Sequence, residues 1–210
     1  MSTVSPARTA VGEVPAPPPG RPAVTRPWQV EDVLALPTGP RYEIVDGGLL
    51  IMPAPGLLHQ WLCRQLFLQL HAQTSPAWEV TLDVGVRMSD DPAVSDFRIP
   101  DLTVGPSARR PSARDLLAQP TGVSLVIEVT VTTGKQDRIL KPVEYAEAGI
   151  PWYWRLEVEP ELELIAHELM SGGYVETGRY RAGVARPAAP IPLSVDLDAL
   201  REPEDAGSGA

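Results

Sequence analysis

Two acidic residues and a lysine, in that order along the chain, are the residues with the clearest potential for chemistry. Asp101 precedes Leu-Thr-Val, and Glu128 lies within Val-Ser-Leu-Val-Ile-Glu-Val-Thr-Val, so each acid adjoins a β-branched run that predicts a strand. A buried charge is tolerated when it is paired or bound to a metal. Two acids on adjacent strands can hold one divalent cation through their oxygens. With Lys141 nearby, such a site would suit phosphodiester hydrolysis.

Each acid also has a simpler interpretation. Asp101 follows Pro100, and a Pro-Asp pair often just begins a strand or a turn. Glu128 sits among apolar neighbours where a solvated glutamate is not expected, but an ion pair with an arginine would also hold it. The sequence alone leaves both interpretations open.

Lys141 stands out because the chain has sixteen arginines and two lysines, Lys135 and Lys141, in one segment. Lysine is a compact donor whose pKa can shift, which suits positioning a water or stabilising charge on phosphorus. A solvated helix lysine, or a weak surface ion pair with Asp137 four residues earlier, is the alternative. Pro142 disfavours helical angles at the residue before it, so we expect the helix to start late or kink at Lys141.

The order of these motifs resembles the PD-(D/E)XK nuclease superfamily and, within it, the Uma family of restriction-endonuclease-like proteins. The resemblance runs from about Trp28 to Tyr174. It rests on six pieces: Arg41-Tyr-Glu43-Ile-Val-Asp46-Gly, Met52-Pro-Ala-Pro with His59-Gln60, Arg98-Ile-Pro-Asp101, Ile127-Glu128-Val129, Asp137 with Lys141, and Tyr145 to Trp154.

The resemblance implies a metal-dependent nuclease site. The superfamily lysine usually stands two residues after the second acid, where this chain has Thr130, but the Uma family typically moves it to the next helix, where Lys141 stands. The family commonly has Leu-Ser-Pro-Ser-Thr after the glutamate, whereas Thr130-Val-Thr-Thr-Gly134 follows here. The resemblance also implies a third acid near the site, Glu43, which could equally be the polar side of an alternating strand. A proton-transfer role for His59 competes with an exposed loop or helix start.

Charge argues against a broad basic surface. The net charge is −9; the N-terminal 27 residues carry +2 and residues 202–210 carry −3, which leaves −8 for the part between. DNA-binding domains usually carry a basic face, so any contact with nucleic acid must be local. The candidate cations for such a cleft are Arg98, Arg138, Lys135, Lys141 and Arg64. We expect the alternating acids Glu157, Glu159, Glu161 and Glu163 to form a solvated strand face that DNA avoids.

Length and composition predict one domain with tails: a proline-rich disordered extension over residues 1–27, a domain over residues 28–201, and a tail over residues 202–210. No apolar run approaches membrane-spanning length, and the N-terminus lacks a secretory pattern. The single cysteine, Cys63, agrees with a reducing cytoplasm and is interpreted as a buried hydrophobe rather than a nucleophile.

Periodicity predicts helices near Val30 to Leu34, Gly56 to His71 and Asp137 to Ala148, and a hairpin around Asp46-Gly-Gly. The strands are predicted near Trp78 to Arg87, Asp101 to Val104, Val123 to Val131, Trp152 to Val158 and Leu162 to Leu169, with an edge strand from Gly172 and a turn of helix near Val195 to Leu200. This order favours an α/β domain with a mixed sheet. The finer expectation, a central mixed sheet flanked by helices in a single restriction-endonuclease-like domain, comes from the resemblance.

The resulting hypothesis is a cytoplasmic endonuclease that hydrolyses DNA phosphodiesters. Asp101 and Glu128 would bind Mg²⁺ or Mn²⁺, Lys141 would orient the water or the phosphate, and Glu43 would support the metal. DNA binding is expected to be weak and metal-dependent, with no membrane partner and with a homodimer left open. A non-catalytic interaction or regulatory module that keeps the nuclease fold is the main alternative, and an acidic binding domain unrelated to nucleic acid is a third.

Overall fold

Within residues 26–107, 115–131 and 135–201 of the computed structural model, three α-helices and twelve strands follow one another along the chain. In order they are α1 (Val30–Leu34), β1 (Arg41–Val45), β2 (Gly48–Met52), α2 (Leu57–His71), β3 (Trp78–Leu82), β4 (Val86–Arg87), β5 (Phe97–Arg98), β6 (Leu102–Pro106), β7 (Leu125–Thr130), α3 (Lys135–Glu147), β8 (Trp152–Glu157), β9 (Glu163–Met170), β10 (Gly173–Tyr180), β11 (Val184–Ala185) and β12 (Val195–Asp196). Apart from Arg26 and Pro27, the predicted extension and the predicted tail lie outside the described residues.

The central sheet has six strands in the order β10-β9-β8-β7-β6-β3. Its β7 and β8 are parallel, and the other neighbouring pairs are antiparallel. A parallel pair needs a crossover connection, which α3 supplies between β7 and β8. The sequence-based prediction of an α/β domain with a mixed sheet is therefore confirmed.

A second, four-stranded sheet has the order β2-β1-β5-β4 and begins with the predicted hairpin. Its two turn residues, Asp46 and Gly47, have φ angles of 49° and 69°. Positive φ at both central residues is the geometry that favours Asp-Gly in a two-residue hairpin turn. A Cβ at Gly47 would also lie 2.8 Å from the Cβ of Pro27, so the turn requires glycine for space as well.

The main core lies between α2 and the six-stranded sheet. Leu62, Leu66 and Leu70, spaced one turn apart on α2, are buried there together with Cys63, as predicted. Leu58 begins the same stripe but is 36% exposed. It lines a cavity beside the first turn of α2, so the apolar face of this helix extends beyond the core into a cleft.

One predicted strand, Trp78 to Arg87, is wrong: the chain forms two strands that belong to different sheets. The break falls at Asp83, which has a φ of 53° and follows β3 directly. Two residues later, a Cβ at Gly85 would lie 2.4 Å from the Leu117 side chain. The left-handed residue and the close packing turn the chain away from the six-stranded sheet, and an apolar alternation does not report such a turn.

The prediction that four alternating glutamates form a solvated face is wrong for two of them. Glu157 and Glu163 face each other across β8 and β9 and are buried. Arg155 donates to Glu157 at 2.6 Å, and Arg179 from β10 donates to Glu163 at 2.5 Å. The two glutamates in the connecting turn are exposed, as expected. Arg155 neutralises Glu157 from the same strand, whereas Arg179 neutralises Glu163 from the neighbouring strand, and the second pairing depends on sheet register that the local pattern does not show.

None of the helices in the described ranges combines the length and apolar character needed to cross a bilayer.

Candidate metal centre

Asp101 lies immediately before β6, and its buried side chain points to the neighbouring strand. Its Oδ2 accepts a hydrogen bond from the Val129 backbone N–H of β7 at 2.8 Å and contacts Nε2 of His59 at 3.1 Å. Burial would raise the pKa of this carboxyl, but the hydrogen bond and charge of His59, the Val129 N–H and the charge of Lys141 hold it below its ordinary value. Asp101 is therefore an ionised carboxylate with one oxygen fixed in place.

Glu128, in the middle of β7, is buried and is held from α3. Lys141 Nζ donates to its Oε2 at 3.1 Å, and the Tyr145 hydroxyl donates to its Oε1 at 2.7 Å. Lys141 and Tyr145 are four residues apart, so both project from one face of the helix. Burial and the Glu128 charge together raise the pKa of Tyr145 well above its ordinary value, so its hydroxyl remains a donor.

The register of the sheet brings the two acids side by side. In the antiparallel pair β6–β7, Leu102 lies opposite Ile127. Asp101 and Glu128 come one residue beyond that pair, where directly opposed Cβ atoms are typically about 5 Å apart. Both side chains line the same cavity. The two acids therefore lie on adjacent strands, which is the condition for sharing one divalent cation.

Lys141 lies inside α3, which runs without interruption from Lys135 to Glu147 through Pro142. The expected late start of the helix is therefore wrong. The side chain is buried, which excludes the solvated-lysine alternative. Asp137, its suggested surface partner, lies outside the described side chains. Although Pro142 cannot donate to the turn before it, Lys141 and Tyr145 on either side of it hold the helix to Glu128 of β7.

Glu43 also lines the cavity, but both of its oxygens are engaged. Arg98 Nη1 donates to one oxygen at 2.8 Å, and the Ile99 backbone N–H donates to the other at 2.9 Å. Arg98 makes two further bonds to Glu144 of α3, at 2.5 and 2.6 Å. Burial opposes the charge on Arg98, but the bonds to Glu144 and Glu43 raise its pKa overall. The cluster ties β1, β5 and α3 together beneath the two acids.

This cluster corrects the prediction that Arg98 supplies positive charge to a nucleic-acid cleft. Arg98 is buried and its guanidinium is shared between two carboxylates, so it has no route to a phosphate. Arg64 is exposed on α2 but lines neither of the described cavities. The side chains of Lys135 and Arg138, two other candidates, lie outside the described residues. Lys141 is the candidate that the structure places at the site.

His59, in the first turn of α2, is a site residue that the sequence did not settle. Its Nε2 contacts Asp101, while its Nδ1 lies 3.6 Å from the sulfur of Cys63 one turn later. The hydrogen bond to Asp101 raises the pKa of His59 despite burial. The available signal was the position of a histidine at the start of a helix whose next turn carries the buried cysteine. That signal does not identify Asp101 as the partner of His59, because the two residues are 42 positions apart in the sequence.

His59, Cys63 and Asp101 offer ligand atoms within 4.8 Å of one another, which raises the question of a second metal site. Cys63 and Asp101, however, contact opposite nitrogens of the imidazole. Burial raises the pKa of the thiol far above its ordinary value, which favours the neutral thiol over the metal-ligating thiolate. The three residues form a hydrogen-bonded chain that orients Asp101.

The oxygen atoms that could act as metal ligands near Glu128 fit a divalent cation that prefers oxygen. Among the described residues, none donates to Asp101 Oδ1, so this oxygen remains available while Oδ2 is fixed. The hydroxyl of Thr130, two residues after Glu128, is buried and has no hydrogen-bond partner in the described part of the chain. An orphaned hydroxyl next to two carboxylates indicates a polar site that further ligands complete. Carboxylate and hydroxyl oxygens suit Mg²⁺ or Mn²⁺.

Two adjoining cavities form the cleft above these residues. The first, of about 420 Å³, is lined by Asp101, Glu128, Lys141 and His59. The second, of about 750 Å³, is bounded by residues that include Gln60 and is mainly apolar. The two share five lining residues, namely Arg41, Met52, Pro53, Ala54 and Pro55. The cleft therefore continues from the acids along the second strand of the hairpin.

Most of the chain is similar to proteins described as nucleases or restriction endonucleases. The model of the Uma2 family, described as "Putative restriction endonuclease", matches residues 30–197. Among solved structures, a crystal structure titled as a putative nuclease belonging to DUF820, from Anabaena variabilis, is similar with a TM-score of 0.60 and 16% sequence identity. The similarity covers 83% of this chain and 97% of that chain. No curated protein matches the chain.

Proposed function

The chain belongs to the Uma2 family, and from that premise we propose that it is a metal-dependent endonuclease that hydrolyses DNA phosphodiester bonds. The observation that carries the proposal is the convergence of Asp101, Glu128 and Lys141 on one cavity. Each comes from a different element, and each is held by a named partner. Two carboxylates with a lysine on one cleft suit metal-assisted phosphodiester hydrolysis, because the acids can hold the cation and the lysine can stabilise developing negative charge.

In this proposal Asp101 and Glu128 hold Mg²⁺ or Mn²⁺. When bound, the ion polarises the phosphoryl oxygen and lowers the pKa of an attacking water. His59 and the Val129 N–H fix Oδ2 of Asp101, so Oδ1 is presented to the cleft. Such partners of a ligand typically change metal affinity by about tenfold to a hundredfold when removed.

Lys141 orients the water or the phosphate, and Tyr145 fixes the other oxygen of Glu128. The lysine is 3.1 Å from the carboxylate, so a small rotation moves its ammonium toward a substrate oxygen while the tyrosine bond is kept. A buried ammonium interacts with a developing negative charge more strongly than an exposed one, because water screens it less.

Glu43 acts through position in this proposal. Its carboxylate holds Arg98 and the backbone N–H of Ile99, two residues before Asp101. It therefore sets the path of the chain that carries the first acid. We assign it a positioning role rather than direct support of the metal.

DNA is the proposed substrate, and its binding is expected to be weak. The charge of residues 28–201 is −8, and within the described residues lining the two cavities the permanent cations are Arg41 and Lys141. Few phosphates are then neutralised, and the affinity depends on the metal and falls with salt. The cytoplasmic location and the homodimer stay predictions, the latter without support from either comparison.

A non-catalytic module that keeps the nuclease fold is the second candidate. The observation that favours it is the direct Lys141–Glu128 ion pair, which neutralises one proposed ligand inside a mostly buried site. A cation that binds there must compete with the ammonium for the carboxylate. Cleavage itself decides between the two candidates.

The test is incubation of purified protein with supercoiled plasmid in Mg²⁺, Mn²⁺ or EDTA, read as nicked and linear products. The proposal expects metal-dependent cleavage by the wild type and none by Asp101→Asn. A matched control is Glu163→Gln, which removes a buried, arginine-paired carboxylate that lines neither cavity. A wild type that never cleaves in either metal would contradict the catalytic proposal and favour the non-catalytic module.

A further inference from the structure

We infer that Arg41 is the phosphate anchor of this cleft: its guanidinium leaves Asp83 and binds a backbone phosphate of the nucleic acid, next to the phosphate that the acids address. This inference rests on the proposed nuclease function and adds to it a residue that contacts the substrate. It also assigns Asp83 the role of a competing anion.

The position of Arg41 is the first observation. It opens β1 and lines both cavities of the cleft, so it lies where the compartment of the two acids meets the apolar compartment. A strand of nucleic acid that places one phosphate at Asp101 and Glu128 extends its neighbouring phosphate along the cleft toward this junction. A planar guanidinium matches a phosphate with two parallel hydrogen bonds, which a lysine cannot supply.

The contacts of Arg41 are the second observation, because they are few and exchangeable. Nη1 pairs with Asp83 at 3.1 Å, and Nη2 donates to the Ile99 carbonyl at 3.1 Å. The Asp83 side chain is 47% exposed, so this ion pair is reached by solvent and contributes little stability. Nε is buried and has no hydrogen-bond partner among the described residues. An arginine with an unsatisfied donor and a weak partner gains hydrogen bonds by turning to a phosphate.

The other cations near the acids serve different partners. Arg98 is buried between Glu43 and Glu144, and Lys141 donates to Glu128. In the described part of the cleft, Arg41 is the guanidinium that borders the space a substrate would fill. The phosphate-binding role therefore falls to it on geometry.

The backbone of Asp83 is the third observation. Asp83 has a φ of 53°, a left-handed conformation that side chains seldom adopt, and its N–H donates to the Asp101 carbonyl at 3.2 Å. The turn that ends β3 thus joins Asp83 to the chain of the first acid and presents its carboxylate to Arg41. Uncommon backbone angles of this kind concentrate at functional sites. Asp83 keeps the guanidinium in the cleft until a phosphate replaces the carboxylate.

The test measures DNA affinity and cleavage separately on the full chain. Fluorescence anisotropy of a labelled oligonucleotide in Ca²⁺ gives the affinity, and the same samples in Mg²⁺ give cleavage. Arg41→Ala is expected to weaken binding about tenfold or more. The negative slope of log affinity against log salt should become less steep by about 0.9 on duplex DNA, because one phosphate contact is lost. Arg41→Lys should recover only part of the affinity, because the charge returns without the fork.

The matched control is Arg26→Ala. Arg26 is also an arginine bound to an aspartate, Asp32, at 2.9 and 3.0 Å, but it lines neither cavity. The DNA affinity of the Arg26→Ala variant should stay within about twofold of wild type. Asp83→Asn keeps Arg41 and should change the DNA affinity in the opposite direction. Removing the competing anion should tighten binding severalfold. This second variant decides the question even if Arg41→Ala does not fold.

The outcomes separate the two proposals. If Arg41→Ala and Arg26→Ala bind alike, or if Asp83→Asn fails to tighten binding, the anchor role is wrong even if the protein cleaves DNA. If the affinity changes follow the expectation but no metal supports cleavage, the anchor stands and the catalytic proposal fails. A wild type that binds no oligonucleotide overturns both.

Discussion

The ammonium of Lys141 lies 3.1 Å from Oε2 of Glu128, with both side chains buried. The lysine comes from α3 and the acid from β7, so the pair links the crossover helix to the strand before it. The helix therefore delivers to the second acid the cation that the residue two positions after it, Thr130, cannot provide. A metal ion at the proposed site would compete with this ammonium for the Glu128 carboxylate.

Removing either proposed ligand should abolish metal binding with different costs in stability. Asp101→Asn and Glu128→Gln should each eliminate the heat of Mg²⁺ or Mn²⁺ binding in titration calorimetry, because each removes an anionic oxygen donor. Glu128→Gln should also reduce the free energy of unfolding by about 3 kcal/mol, because it breaks the buried ion pair with Lys141. Unchanged metal affinity in both variants would show that these residues are not the ligands.

A double-mutant cycle should separate structure from catalysis at Lys141. Lys141→Met alone leaves Glu128 with the Tyr145 bond and should destabilise the protein, whereas Glu128→Gln with Lys141→Met should cost less than the sum of the singles. Urea unfolding measures the coupling. Cleavage should be absent in all three variants, and Lys141→Arg should restore it poorly because the fork is larger and differently directed. A Lys141→Met protein that cleaves as fast as wild type would rule out a catalytic lysine.

Pro142→Ala should leave cleavage unchanged and increase stability. The helix already continues through Lys141 and Pro142, so alanine adds a backbone donor without moving the lysine. A proline in a helix interior costs about 3 kcal/mol relative to alanine, and the gain should be a fraction of that value because the turn is already accommodated. Thermal unfolding and the plasmid assay check both parts. A large loss of cleavage would mean that the proline itself aims Lys141.

His59 should control metal affinity through Asp101. His59→Ala frees Oδ2 of Asp101 and should weaken Mg²⁺ binding by about tenfold to a hundredfold, while His59→Gln should recover part of it through the amide donor. The control is His71→Ala on the same helix, since that histidine is exposed and stacks on Phe67 with ring centroids 5.3 Å apart. Titration calorimetry provides the comparison. Equal metal affinity in the His59 and His71 variants would leave His59 without a role at the site.

The buried cluster of Arg98 should matter more for stability than the exposed arginines do. Arg98→Ala leaves Glu43 and Glu144 without their cation and should lower the free energy of unfolding by about 3 to 5 kcal/mol. Arg179→Ala should cost less than about 1 kcal/mol, because the Arg179 side chain is 36% exposed and buried Glu163 keeps its second partner, Arg181. Urea unfolding of both variants tests the contrast. Similar costs would mean that Arg98 is not the link between β1, β5 and α3.

The sequence by itself determined the elements and the main candidates for chemistry. Short-range patterns specify α2, the β7 strand and the Asp46-Gly47 turn, because helix periodicity, β-branched runs and turn residues act over a few positions. The same local logic identified Asp101 and Glu128 as charges that interrupt strands. The family resemblance, rather than spacing, identified Lys141 as the lysine of the site, and the structure places it on Glu128.

The tertiary structure decided which charges meet. Arg98 was predicted to face a phosphate and is instead sealed by Glu43 and Glu144, 55 and 46 residues away along the chain. His59 finds Asp101 across 42 residues, and the turn at Asp83 divides one predicted strand between two sheets. The type of a side chain and its sequence neighbours indicate that it needs a partner when it is buried. Sheet register and helix placement determine which residue that partner is. Those depend on the packing of the whole core, which no local pattern contains.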